Sequence, residues 1–293
     1  MHRENIVKEV ERILESYSYE NVVISNMHAS FDILARNRLR TIVIKVVYNI
    51  DTIDRKMAKD IFDVASFMDA ETLIVGEVSK DKRLGKNVVY TRFSVNCVSV
   101  ESFESVLDGI NIPLASKYVG TKAEVDKERM KNLRMLSGMS LSGLAKSAKV
   151  SKDTLYKLEK FGGYASLGTV ERTEARLGDS VRLNRISIGV HEYKISGNSY
   201  KIGRTDIKAV YLNSSPFNVI GKRKNYYEAS MESNPRTMKK KAKVFAQIME
   251  SFENNYSFFI SDKKDGKFDG INVISKKKLS KIESESELVS EIE

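Results

Sequence analysis

The spacing of apolar and polar residues changes character along this chain. At the start, Ile6, Val10, Ile13 and Leu14 recur at the three- and four-residue intervals of an amphipathic helix. Val22-Val23-Ile24-Ser25 and Phe31-Asp32-Ile33-Leu34-Ala35-Arg36 then read as strands. Thr41-Ile42-Val43-Ile44-Lys45-Val46-Val47 is β-branched and apolar almost throughout, as a strand buried on both faces should be. Asp54 to Met68 returns to helical spacing, with Ala58, Ile61, Phe62 and Ala65 on one stripe. Thr72 to Gly76 and Val95 to Val98 are further strands, the second leading into a short helix with Phe103 and Leu107. Alternating strands and helices over residues 1–120 predict a layered α/β domain.

Residues 183–293 repeat that order. Lys208-Ala209-Val210-Tyr211-Leu212 parallels Asn21 to Ile24, and Pro216 to Lys222 parallels Ser30 to Arg36. A strand near Tyr226 to Met231 follows, and then a helix headed by Lys239-Lys240-Lys241-Ala242-Lys243, as Arg55-Lys56-Met57-Ala58-Lys59 heads the first. Ser257 to Ile260 matches the strand of Leu73, and Asn272 to Ser275 matches Asn96 to Ser99. Identities are few, but element order and spacing agree, and the economical reading is a duplicated α/β unit. The acidic stretch Glu283 to Glu293 reads as a mobile or frayed tail.

Between the copies, residues 121–182 carry few β-branched residues and many Lys, Arg, Leu, Met and Ala, which predicts a helical insert. Lys127 to Leu136 is amphipathic, with Met130, Leu133 and Leu136 inward, and Ser137-Gly138 ends it. Ser140 caps a second helix, on which Leu144 and Ala145 face the core; Ala148-Lys149-Val150 is a tight turn. Ser151 caps a third helix, 151–159, with Leu155 and Leu158 inward and Lys152, Asp153, Tyr156 and Lys157 outward. Phe161-Gly162-Gly163 terminates it, and Leu167, Val170 and Leu177 fit a closing helix that stops at Gly178.

These residues from Lys127 to Gly178 resemble the phage-repressor (Cro/C1) type of helix-turn-helix domain. The likeness rests on the Gly138-Met139 break, Leu144-Ala145, Val150-Ser151 and Leu155-x-x-Leu158-Glu159. It implies that helix 151–159 enters the major groove of double-stranded DNA. Lys152, Asp153 and Lys157 would then reach base edges, Ser140 and Ser151 would lie at phosphates, and Thr154, Tyr156 and Lys160 would flank them. Lys donates to guanine and Asp accepts from the cytosine amino group, so a G·C-containing half-site is expected. The resemblance also makes Arg134 and Glu159 a structural ion pair. It departs at Leu141, which stands where such domains often carry a phosphate-holding Gln; an apolar Leu there is free to face a partner domain.

Composition fits this reading. The net charge is +10, distributed as −1 over residues 1–120, +6 over 121–185 and +5 over 186–293. Positive surface attracts phosphate backbones. Cys97 is the sole cysteine, which excludes an intrachain disulfide and a thiolate metal cluster. His2, His28 and His191 are scattered without ligand or triad spacing. No apolar run of membrane-spanning length and no signal peptide is present, so a cytoplasmic location without membrane contact is expected.

Asp32 and Lys45 on successive strands resemble the nuclease motif of Asp, a spacer and Asp/Glu-x-Lys, in which the acids hold a divalent metal. Val43 stands in place of the second acid; in the other copy Asn218 replaces the Asp, although Glu228 is present. Both α/β units therefore read as degenerate restriction-endonuclease-like scaffolds, with no catalytic residue, metal or cofactor. Taken whole, the chain resembles archaeal helix-turn-helix transcriptional regulators. That implies a non-enzymatic, sequence-specific DNA binder, acting as a homodimer on paired half-sites, with an effector left open. The alternatives are a metal-dependent nucleic-acid-processing enzyme and a non-specific nucleic-acid or chromatin protein.

Overall fold

The computed structural model describes residues 3–24, 27, 29–86, 88–108, 122–182 and 199–293; over them, apolar runs fold as strands and striped runs as helices. His2, His28, His191 and Ser25 lie outside the described residues, as do the junctions expected near residues 120 and 183. Contacts divide the chain into two units: residues 1–82, 92–95 and 188–293 form one, and 83–91 with 96–187 form the other.

In the first half of the α/β unit, helix α1 (Arg3–Ser16) buries the expected Ile6, Val10, Ile13 and Leu14. Strands β1 (Glu20–Val23), β2 (Ile33–Arg36) and β3 (Thr41–Val46) follow as two antiparallel steps, with Val22 opposite Leu34 and Leu34 opposite Val43. Helix α2 (Arg55–Phe67) starts at Asp54, whose carboxylate accepts the Met57 N–H at 2.7 Å. It forms the crossover that lets β4 (Glu71–Gly76) pair parallel to β3. Short strands β5 (Val78–Ser79), β6 (Lys82–Arg83) and β7 (Tyr90–Arg92) precede β8 (Val95–Ser99) and α3 (Val100–Leu107), of which residues 83–91 and 96–107 count with the other unit.

The other unit contains β9 (Lys122–Val125), α4 (Lys127–Leu136), α5 (Leu141–Ala148), α6 (Lys152–Phe161), β10 (Gly163–Ser166) and α7 (Leu167–Leu177). Met130, Leu144, Ala145, Leu155, Leu158, Val170 and Leu177 form its core.

The chain then returns with β11 (Tyr200–Lys201), β12 (Lys208–Tyr211), β13 (Val219–Lys222) and β14 (Tyr226–Met231). Crossover helix α8 (Pro235–Ser251) leads to β15 (Asn255–Ser261), then β16 (Gly266–Phe268), β17 (Ile271–Ser275), α9 (Lys276–Leu279) and α10 (Glu285–Ile292). These strands make one sheet in the order β11-β12-β13-β14-β15-β17-β16. β12-β13-β14 are antiparallel and β14-β15 parallel, the same sequence of steps as β1-β2-β3-β4.

The two halves exchange contacts reciprocally. Helix α2 packs on β13 of the second half, and α8 packs on β1 of the first. Phe31 and Phe217, both fully buried, meet with ring centroids 5.9 Å apart. At the last residue of β2, Arg36 lies over the ring of Phe252 beyond α8; at the last residue of β13, Lys222 pairs with Asp69 beyond α2. A single apolar cluster runs through both halves, from Val22, Phe31 and Phe67 to Phe217, Phe245 and Phe259. Each fully buried aromatic or aliphatic side chain contributes roughly 1.5–3 kcal/mol. The polar tie is Asp60, 0% exposed on α2. Its carboxylate accepts Ser30 Oγ at 2.8 Å, the Asn213 side-chain amide at 2.8 Å and the backbone N–H groups of Asn213 and Ser214 at 3.0 and 2.8 Å.

Four expectations need correction. The acidic tail is not frayed: α10 buries Leu288 and Ile292 at i, i+4, and Glu285 accepts the Tyr227 hydroxyl at 2.9 Å. The central insert is not wholly helical, because β9 and β10 pair antiparallel with Val125 opposite Gly163. Leu136 does not point inward; α4 ends there, past the edge of the core, and Leu136 is 85% exposed. Leu141 does not face a partner domain but packs half-buried on its own unit's core.

Replacing Asp60 with Ala strands several buried donors, and we expect a loss of about 3 kcal/mol in denaturant unfolding; Asp60→Asn, which keeps one acceptor oxygen, should cost about half as much.

Candidate nucleic-acid interface

Helices α5 and α6 are set by their ends. Ser140 Oγ accepts the Gly143 N–H at 3.0 Å, and Ser151 Oγ accepts the Thr154 N–H at 3.0 Å. Between them, Lys149 takes a left-handed conformation (φ 54°), and Val150 N–H returns to the Ala145 carbonyl at 3.0 Å. The chain thus turns sharply over Lys149-Val150-Ser151. Leu144 and Ala145 on one helix and Leu155 and Leu158 on the other close the core beneath the turn. Gly162 (φ 71°) and Gly163 (φ 101°) release the chain from α6 into β10.

Arg134 fixes the direction of α6. Its guanidinium donates to both Glu159 oxygens, at 2.8 and 2.6 Å, and to the Met139 carbonyl at 2.8 Å. The side chains are only 16% and 13% exposed. The hydrogen bond to Glu159 raises the Arg134 pKa further, so the guanidinium stays charged. One side chain thereby joins α4, the break before α5 and the last turn of α6.

The outward side of α6 is polar and largely cationic. Ser151, Lys152, Asp153, Tyr156, Lys157 and Lys160 are exposed, and Thr154 is half-buried with its hydroxyl 2.7 Å from Ser151 Oγ. Ser140 is exposed at the head of α5. Asp153 and Lys157 pair at 2.8 Å, which raises the lysine pKa. Lys160 donates to the Tyr156 hydroxyl at 3.0 Å and lies 5.3 Å from its ring centroid and 5.2 Å from that of Phe161. The amide N–H groups that open α6 have no partner within the helix, a geometry suited to an anion. Sequence reasoning missed Phe161 and Tyr164, 68% and 51% exposed beside this face. The aromatics on either side of Gly162-Gly163 were the available signal.

The nuclease-like positions lie in the α/β unit, where backbone hydrogen bonds align the two halves. Asp32 N–H donates to the Ile44 carbonyl as Asn218 N–H donates to that of Ala229. Asp32 Oδ2 accepts the Val46 N–H at 2.7 Å, and Asn218 Oδ1 accepts the Met231 N–H at 3.1 Å. Val43 therefore corresponds to Glu228, and Lys45 to Ser230. The first half keeps Asp and Lys but has a buried Val at the second acid; the second keeps Glu but has Asn and Ser. Asp32 is already engaged by Arg3, by Lys45 Nζ at 3.3 Å and by the Val46 amide. Burial lowers the Lys45 pKa, partly offset by Asp32. Neither half fits the two-carboxylate site that a divalent metal requires. Among the described residues no group of three or more His, Cys, Asp or Glu is arranged to hold a metal. Glu228 is fully buried, accepts Ser257 Oγ at 3.1 Å through one oxygen, and has no partner for the other among the described residues. Burial pushes its carboxyl up to about 8. No helix of the described residues is long and apolar enough to cross a membrane.

A model of the PD-(D/E)XK superfamily domain matches residues 3–112. Over nearly its whole length the chain is similar to archaeal proteins that carry the name “Putative HTH-type transcriptional regulatory protein”. It is 25% identical to one from Pyrococcus furiosus, over 99% of this chain and 97% of that one. It is 28% identical to one from Methanothermobacter thermautotrophicus and 26% identical to one from Methanobrevibacter smithii, each over 99% of this chain and 96% of the relative. No solved structure matches it.

Arg134→Ala leaves the Glu159 side chain, only 13% exposed, without its ion-pair partner. It should destabilise its unit by about 3 kcal/mol, with Glu159→Gln recovering part of that in a double-mutant cycle followed by thermal melting. Because the folded Glu228 holds a proton that the unfolded chain has lost, stability should fall as pH rises from about 4.5 through about 8 and then level off. Glu228→Gln should flatten that slope in denaturation measured at pH 5, 7 and 9.

Proposed function

We propose that this chain is a transcriptional regulator that binds double-stranded DNA sequence-specifically through a Cro/C1-type helix-turn-helix formed by α5 and α6. The observation that carries the reading is the exposed face of α6: a serine-capped helix, clamped by Arg134 and Glu159, with Lys152, Asp153 and Lys157 turned outward on one side. A helix of this width fits the major groove, where Lys152 and Lys157 donate to guanine and Asp153 accepts from a cytosine amino group. Ser140 and Ser151 meet phosphates at the two helix starts, and Thr154, Tyr156 and Lys160 line the flanks. The similarity to archaeal proteins carrying a regulator's name, over 96–97% of their length, supports this reading.

In this reading the α/β halves are a non-catalytic scaffold. The PD-(D/E)XK match favours a nuclease as the second reading, and the divided ligand set weighs against it. Magnesium-dependent cleavage of plasmid DNA, abolished by Asp32→Ala, would establish the nuclease; we expect intact plasmid. A single module of this kind binds weakly, so two copies on paired half-sites complete the proposal. The reciprocal contacts between α/β halves are already made within one chain, so a dimer uses other faces. Sedimentation of the protein with and without its selected duplex tests this, and monomer in both would remove the dimer.

The central test is selection of bound duplexes from random sequence, then binding of the winner by variants. Lys152→Ala with Lys157→Ala should weaken binding at least about 30-fold, from two contacts of about 1–3 kcal/mol each, while scrambled DNA is affected far less. Equal affinity of wild type for selected and scrambled DNA would reassign the chain as a non-specific binder.

A further inference from the structure

The duplicated crossover helices α2 and α8 occupy equivalent places in their halves but carry different charge. Around α2, three cations (Arg55, Lys56 and Lys59) are matched by three acids: Asp54 at the cap, Asp60 and Asp63. Lys59 pairs directly with Asp63. In α8 the cap is the neutral Asn234, and Arg236, Lys239, Lys240, Lys241 and Lys243 follow before the first acid, Glu250. Lys241 turns inward, donating to Ser230, and burial lowers its pKa. Arg236, Lys239, Lys240 and Lys243 are exposed. Their spacing of three, four and seven residues puts them on one face over two turns. Among the described residues, Arg236, Lys239 and Lys243 have no carboxylate within salt-bridge distance.

This arrangement works against the helix. Cations at a helix N-terminus oppose its dipole, and like charges three and four residues apart repel. The α2 copy shows that the fold accepts acids at this helix start. We infer that the outer face of the first two turns of α8 is a second contact surface for the phosphate backbone of duplex DNA, independent of base sequence. The inference rests on the DNA-binding reading but concerns a different unit of the chain. Four exposed cations along about 10 Å of helix axis span the rise of several phosphates. They supply affinity and salt dependence, while α6 supplies sequence preference.

The test uses the full chain with Arg236→Gln, Lys239→Gln and Lys243→Gln combined; glutamine keeps side-chain length and helix propensity. Affinity is measured by fluorescence anisotropy on selected and scrambled duplexes across a salt series. We expect weaker binding by a similar factor on both, and a plot of log affinity against log salt flatter by about 2 to 3. Arg55→Gln with Lys56→Gln on α2 should change neither. The melting temperature of the triple variant should hold or rise; a fall would assign these residues to the fold and overturn the inference. An unchanged salt slope would also overturn it, as would a loss confined to the selected duplex. If the triple variant is inert while Lys152→Ala with Lys157→Ala is impaired, only this surface fails. If the reverse holds, the α6 reading fails and this surface stands.

Discussion

The α/β unit depends on a carboxylate with no solvent contact. Asp60 on α2 takes hydrogen bonds from Ser30 in its own half and from Asn213 and Ser214 in the other, separated from it by about half the chain. A buried carboxylate is costly to desolvate and is tolerated where several donors converge on it. Those donors exist only when the loop before β13 is seated against α2. The same seating brings Phe31 to Phe217 and lays α8 over β1. The unit is therefore a two-fold arrangement made within one polypeptide, in which each half supplies the helix that covers part of the other.

The smaller unit uses a different device. Its core is modest, and orientation of α6 relies on a bidentate ion pair with little exposure. Arg134 adds a third bond to the Met139 carbonyl, so the break between α4 and α5 is held by the same side chain that holds the far end of α6. Outside that clamp the contacts on the face of α6 are exposed and local: Asp153 with Lys157, Lys160 with Tyr156, and Ser151 with Thr154; the Asp153 and Lys157 pair is a surface contact of small worth that a stronger partner can displace. The firm side and the adaptable side of the helix are thus distinct.

Much of this was legible in the sequence because it is local. Serines before apolar stripes gave the starts of α5 and α6, the β-branched run gave β3, and the repeated order of elements pointed to duplication. The pairing of Arg134 with Glu159 followed from the resemblance and not from spacing alone. What escaped depends on distant partners. β9 and β10 are four residues each and lie about forty residues apart, so neither carries a pattern of its own. The helix of the acidic tail was masked by its glutamates, because Leu288 and Ile292 mark only a narrow stripe. Leu136 fits the period of α4, but the helix outruns the surface it packs on, and periodicity has no way to register that. Asp60 carries no local signal on an amphipathic helix, since most of its partners sit in the other half.

The exchanged helices also delay closure of the first half during synthesis. Synthesis proceeds from the N-terminus at about 5–20 residues per second, so β1 to β4 emerge roughly ten to forty seconds before α8 exists. During that interval Val22, Phe31 and Phe67 lack the cover that Phe217 and Phe245 later provide. Meanwhile the α4 to α7 module, whose contacts are nearer in sequence, is complete before its flanks can close. The α4 to α7 module thus emerges whole while the α/β unit still lacks its second half, and the nascent first half exposes apolar surface until its counterpart arrives.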